Sequence, residues 1–176
     1  ARLEPDKCAH LLIQAFQRWR QANRGASTRL VIAGPLPAGG YAKAIFDLDL
    51  TNVVLTGEVA GARKAELFSN ALAVVAPSRF EGLPISLLEA MSAARPLLVS
   101  DIPAHREVLP PDAGLFCDEL TVVGIAKGLE RLLALSADER AALGRAALNA
   151  VASYTWERTT ERLEAVYEDA MRAGSS

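Results

Sequence analysis

Residues 71–100 read ALAVVAPSRFEGLPISLLEAMSAARPLLVS, and this stretch decides the fold class. Ala71 to Ala76 is a short, valine-containing apolar run of strand length. Pro77 to Leu83 carries the Pro, Ser and Gly that mark a loop. Pro84 suits the first position of a helix, where its missing N–H costs nothing, so Pro84 to Ala94 is predicted helical. Pro96 to Ser100 is a second apolar run and a second predicted strand. A strand, a helix and a strand in that order form a βαβ unit, which joins parallel strands.

The same alternation extends upstream. Cys8, Leu11, Leu12, Ala15, Phe16 and Trp19 recur at helical spacing, which predicts an amphipathic helix over Pro5 to Ala22. Arg29 to Ala33 is a predicted strand closed by Gly34 and Pro35, and Asn52 to Thr56 another ended by Gly57. Tyr41 to Leu48 and Ala62 to Ser69 are predicted helices between them. Downstream, Gly114 to Cys117 reads as a short edge strand. Helices follow over Val122 to Ala134, Ala137 to Ala150 and Thr155 to Met171. The expected class is α/β: a Rossmann-like parallel sheet with helices on both faces and helices at the C-terminus.

Ligands of such sheets bind beyond the carboxyl ends of the strands. That rule selects Gly34-Pro35, Gly57-Glu58, Pro77 to Gly82 and Ser100-Asp101. The free amides and dipole of a helix starting at Pro84 suit a diphosphate, with Gly82 allowing close backbone approach and Leu83 and Ile85 beside it. Glu89 lies five residues into that helix, roughly 7 to 8 Å along its axis. A carboxylate there can accept two hydrogen bonds from a ribose diol while the phosphates rest on the helix end. Glu81, just before the helix, falls where a sugar on the distal phosphate would lie.

Composition narrows the class further. The 176 residues are 51% hydrophobic and 23% charged, which suits one core-bearing domain with a helical arm. A net charge of −2 with no Lys/Arg block excludes a nucleic-acid footprint. No apolar run approaches the roughly 20 residues of a membrane span, and no secretory signal pattern is present. Cys8 and Cys117 are expected as reduced thiols, and the two histidines, His10 and His105, cannot build a His-rich metal site. Asp47 and Asp49 are read as a solvated helix end and His105 as a loop residue. Gly34 to Gly40 does not match the dinucleotide fingerprint and is read as a loop near the site. A first residue of Ala1 rather than Met is read as the start of a fragment or a processed chain.

Glu81 and Glu89, framed as Pro-Ser-x-x-Glu-Gly-Leu-Pro and Leu-Glu-Ala-Met, resemble the E-x7-E motif of retaining GT-B glycosyltransferases. The similar group is the glycogen-synthase-like and sucrose-synthase-like one. Val31 to Gly34, Val53 to Gly57, Pro96 to Ile102, Arg106 to Val108 and Tyr154 to Glu157 resemble further family segments in the same order. The resemblance implies the C-terminal, donor-binding half of such an enzyme. Residues 1–150 would be the nucleotide-sugar-binding domain, and 151–176 a crossing helix and tail.

By the same resemblance, Glu89 would hold the ribose hydroxyls and Glu81 the donor sugar. Arg2 and Lys7 would neutralise the diphosphate, and Gly34, Gly57 and Val59 would lie against the nucleotide. Arg2, Lys7 and Glu81 are thus the candidate catalytic residues. Gly34, Gly57, Val59, Gly82, Leu83, Ile85 and Glu89 are the candidate donor-binding ones. The implied donor is a nucleoside diphosphate sugar, and no metal or other cofactor is expected. The implied partner is an N-terminal acceptor domain, without which the chain is expected to bind donor but not transfer sugar. The implied setting is cytoplasmic, at the inner face of a membrane or free of it, in bacterial polysaccharide or glycolipid synthesis. Two alternatives stay open: half of a nucleotide-sugar epimerase, and a non-catalytic interaction module. Cys8 stands where the family usually has glycine, and the family's first strand precedes the position of Arg2.

Overall fold

The computed structural model describes residues 3–36 and 39–173. A single 3-10 turn, Pro5–Lys7, leads through Cys8 into α1 (Ala9–Ala22). β1 (Leu30–Ile32), α2 (Gly40–Phe46), β2 (Val53–Leu55) and α3 (Gly61–Asn70) follow. Next come β3 (Val74–Ala76), α4 (Ile85–Ser92), β4 (Leu97–Ser100), α5 (Pro103–Val108) and β5 (Leu115–Cys117). The chain closes with α6 (Val122–Ala134), α7 (Ala137–Val151) and α8 (Trp156–Ala173). The sequence-based elements are all present, with ends shifted by a few residues, and α5 is an addition.

One correction concerns the first helix, and one refinement the sheet. The helix expected from Pro5 breaks at Cys8, whose φ of 52° is left-handed, so Lys7 sits in the turn and not on the helix. This is the position where the resembling family has glycine, and a left-handed backbone explains that preference. The strands are all parallel, but they pair as β1–β2 and as β3–β4–β5, not as one hydrogen-bonded sheet. Alternation of elements dictates strand direction and leaves the choice of neighbours open. The facing edges of β1 and β3 line an open, mainly apolar groove of about 850 Å³, shared with Leu3, Leu12 and Phe16.

β4 is buried along its whole length, and its side chains alternate between two cores. Leu98 joins Leu12, Phe16, Trp19, Ile125 and Leu129 under α1 and α6. Leu97 and Val99 join Leu87, Met91, Leu109 and Val151 under α4 and α7. A third cluster, Leu3, Ile13, Ile32 and Ile45, closes the face below β1 and β2. Cys8 and Cys117 are both buried free thiols, and burial pushes Cys117 up to about 11.

α7 crosses the end of α4 so closely that a Cβ on Gly144 would meet the Ala94 carbonyl oxygen at 2.0 Å. Backbone cannot give way as a flexible side chain can. Gly144→Ala is therefore expected to cost about 1 to 3 kcal/mol, toward the upper end, as a shift of the urea midpoint. An unchanged midpoint would mean that α7 can lift off α4 freely.

α8, expected from the resemblance as a crossing helix, keeps its apolar face open. Its apolar stripe of Leu163, Val166 and Tyr167 is exposed, as are Ala170 and Trp156, the last at 84%. The helical period creates an amphipathic helix whose apolar side stays largely exposed.

Candidate functional site

The loops after β1, β2, β3 and β4 open at one edge of the molecule, because parallel strands all end there. Pro77 to Pro84 lies between β3 and α4 on that edge. Its ordering begins with Arg79, whose N–H donates to the Asp6 carbonyl at 2.7 Å, tying this loop to the turn that carries Lys7. The Gly34 N–H donates to the Gly57 carbonyl at 2.9 Å, which draws the ends of β1 and β2 together. Gly57 has a left-handed φ of 71°, so glycine is the suitable residue there.

α4 starts one residue later than its sequence pattern suggests. Pro84 is the N-cap, with φ −79° and ψ 75°, and Ile85 is the first helical residue. No side chain caps this end, but the Ile85 N–H donates to the Leu83 carbonyl and the Leu87 N–H to the Pro84 carbonyl, both at 2.9 Å, which leaves the Ser86 N–H of the first turn for a ligand. Leu83 and Ile85 flank it and are exposed. Gly82 is also exposed, and a Cβ built on it would meet nothing within 4 Å. Its φ is not left-handed either. Neither packing nor backbone conformation calls for glycine at 82.

Lys7 and Glu81 meet across this edge. Lys7 Nζ lies 2.6 Å from Glu81 Oε2, with the side chains 23% and 14% exposed. Ser78 Oγ donates to Glu81 Oε1 at 2.6 Å. Burial pushes the Glu81 carboxyl up, but the hydrogen bonds from Lys7 and Ser78 and the Lys7 charge outweigh it. Glu81 is thereby held below the usual glutamate range and ionised.

Glu89 projects from the second turn of α4 toward α3, where Lys64 meets it. Lys64 Nζ donates to Oε1 at 2.7 Å and lies 2.6 Å from Oε2. The second contact is an ion pair without hydrogen-bond alignment, and Oε2 makes no hydrogen bond. Gly34, Val59, Lys64, Lys7 and Glu81 all line the groove between β1 and β3. Arg2 lies outside the described residues.

The other sequence readings fall as follows. Asp47 and Asp49 are exposed, with Asp47 paired to Lys43. His105 is not a loop residue: it sits on α5 and is fully buried, because Pro103 starts a short helix that turns the ring inward. Its burial was hidden by the brevity of α5, too short for periodicity to show. Lys64 was missed, while Ser78 and Ser100 fall in the strand-end segments that the sequence selects but were given no role of their own. Among the described residues, no group of three or more His, Cys, Asp or Glu could hold a metal ion, and no helix is long and apolar enough to cross a membrane.

Comparison with known proteins agrees with this architecture. An uncharacterised glycosyltransferase of Methanocaldococcus jannaschii is 28% identical over 97% of this chain and 44% of its own length. The MMP alpha-(1->4)-mannosyltransferase of Mycolicibacterium hassiacum is 29% identical over 77% of this chain and 34% of its own. The chain thus spans less than half the length of either relative. Among solved structures, sucrose-phosphate synthase from Thermosynechococcus elongatus superposes with a TM-score of 0.81 at 21% identity, covering 98% of this chain and 44% of that one. Anabaena Alr3699/HepE, solved in complex with UDP-glucose, gives 0.76 at 20% identity over 97% of this chain and 47% of that one. These two likenesses establish the fold as the half-domain type that the sequence suggested. The family model described as glycosyl transferases group 1 matches residues 1–150, so the chain belongs to that glycosyltransferase family.

Proposed function

We propose that this chain is the donor-binding part of a retaining glycosyltransferase that takes its sugar from a nucleoside diphosphate. The observation that carries the reading is the Lys7–Glu81 ion pair beside the start of α4, with Glu89 on the second turn of the same helix and paired to Lys64. Diphosphate oxygens would rest at the helix start, where the open space before Gly82 lets the backbone come close. Glu89 would take the ribose diol as Lys64 is drawn aside, and Glu81 would meet the sugar. Transfer forms a bond from an acceptor hydroxyl oxygen to the anomeric carbon. The sugar–phosphate bond breaks, its electron pair leaves with the nucleoside diphosphate, and the acceptor's hydroxyl proton passes to the departing phosphate oxygen. Lys7, with Arg2, would balance that growing charge, so donor binding is expected to survive EDTA. An acceptor-binding domain would complete the enzyme, in keeping with the greater length of the relatives. We assign it to bacterial polysaccharide or glycolipid synthesis on the cytoplasmic side.

The test separates the two glutamates. Glu81→Ala is expected to leave binding of UDP unchanged and to weaken UDP-glucose about tenfold, measured by calorimetry on the same preparation. Equal losses for both ligands would make Glu81 a support of the phosphate loop. A chain that binds neither ligand before substitution would favour the interaction-module alternative.

A further inference from the structure

His105 is a buried polar residue behind the site, and the packing around it does not account for an imidazole. The ring is fully buried on α5. Its Nδ1 lies 2.9 Å from the Ser100 carbonyl oxygen and 3.2 Å from the Ser100 hydroxyl. A carbonyl can only accept, so Nδ1 carries the proton and Nε2 is a bare acceptor. Nε2 is buried and has no partner. A leucine would fill a comparable space without leaving an orphaned acceptor.

The bonds that His105 does make lead to Glu81. Ser100 Oγ donates its single proton to the Ser78 carbonyl, and Ser78 Oγ donates to Glu81 Oε1 at 2.6 Å. Lys7 holds the other carboxylate oxygen at 2.6 Å. His105, Ser100, Ser78 and Glu81 therefore form one chain of contacts from α5, across the end of β4, to the loop after β3. Ser78 and Ser100 are themselves buried, at 4% and 1% exposure, so water does not compete for these bonds. Burial pushes the His105 pKa down, against the Ser100 carbonyl and Glu81, which favours the neutral ring with its Nδ1–H in place.

We propose that His105 is a positioning residue for Glu81: through Ser100 and Ser78 it sets the orientation in which that carboxylate meets the donor sugar. The proposal rests on the reading of Glu81 given above. Without the Nδ1–H, the Ser100 hydroxyl is free to rotate away from Ser78. The Ser78 loop then loses its anchor, and Glu81 no longer has one preferred orientation. Affinity for the nucleotide itself should be spared, since the amides of α4 and Glu89 lie outside this chain of contacts.

Calorimetry with two ligand pairs, UDP with UDP-glucose and GDP with GDP-mannose, tests it. The pair scored is the one in which the sugar adds affinity in the unmodified chain. His105→Leu is expected to reduce the sugar-bearing ligand's affinity about five- to tenfold and to leave the bare nucleotide unchanged. His105→Asn, whose amide nitrogen can stand near the Nδ1 position, is expected to restore most of the loss. In a Glu81→Gln background, His105→Leu should have no further effect, because both act along one chain. Ser78→Ala should reproduce the selective loss, and it carries the test if His105→Leu does not fold. Equal losses for nucleotide and sugar nucleotide, or additive losses in the double variant, would overturn the proposal and leave His105 a core residue. If Glu81→Gln lowers the sugar-dependent affinity while His105→Leu does not, the His105 role alone falls. If Glu81→Gln changes nothing, or neither sugar adds affinity, both readings fall together.

Discussion

Lys7→Ala, in this chain joined to an acceptor-binding domain, is expected to lower kcat by about 10²-fold or more, the scale for losing one preorganised transition-state donor. The ammonium is held at the strand-end edge by Glu81 at 2.6 Å, so its charge is in place before donor arrives. Charge on the leaving diphosphate is greatest at the transition state, so donor affinity should fall less than the rate. Removing Lys7 also leaves the half-buried Glu81 carboxylate with Ser78 as its remaining hydrogen-bond donor. A rise in the Glu81 pKa is therefore expected alongside, since the interactions holding it low come chiefly from Lys7 and Ser78. Lys7→Arg is a poor control, because a planar fork does not place its charge where a compact ammonium does. Single-turnover rate and donor affinity, measured on the same Ala variant, decide the matter. A large affinity loss with an unchanged single-turnover rate would make Lys7 a uniform binder with no catalytic part.

Glu89→Ala is expected to weaken binding of a bare nucleoside diphosphate by roughly 30-fold or more. That corresponds to about 2 to 4 kcal/mol for losing a charged acceptor of two hydroxyl hydrogen bonds. The fold should survive the change, because Glu89 and Lys64 are 39% and 35% exposed and α4 is anchored by Leu87, Ala90 and Met91. Comparing UDP with 2′-deoxy-UDP localises the effect. The unmodified chain should prefer UDP, and the Ala variant should lose that preference along with affinity. Lys64→Ala adds a second reading of the same contact. Lys64 holds Oε1 at 2.7 Å, so its loss frees the carboxylate to swing and should cost affinity by a smaller factor than Glu89→Ala. Unchanged UDP affinity in a folded Glu89→Ala chain would remove Glu89 from the ribose site.

Much of this architecture was legible in order and spacing alone. Strand-length apolar runs at 71–76 and 96–100, parted by a Pro-led helix, require a parallel βαβ unit. The seven-residue gap from Glu81 to Glu89 places one carboxylate before a helix start and the other on its second turn, and the helix geometry carries that distance without further information. Local backbone chemistry in the structure agrees with that order. Gly57 occupies a left-handed turn, and Thr121 and Ser136 cap α6 and α7 as their residue types favour.

The remaining features depend on contacts between residues distant in the chain, and no local pattern encodes those. The sequence by itself determined the α/β class, the parallel direction of the strands and the loops at which a site could form. These follow from hydrophobic period, local sterics and helix geometry. Only the tertiary structure decided that β1–β2 and β3–β4–β5 pair separately, that Lys7 closes on Glu81, and that Lys64 reaches Glu89. It alone turned His105 into the core behind Ser78 and left the apolar stripe of α8 exposed. The physical reason is that periodicity says which face of an element is apolar, whereas the partner of that face is chosen by the packing of the whole chain.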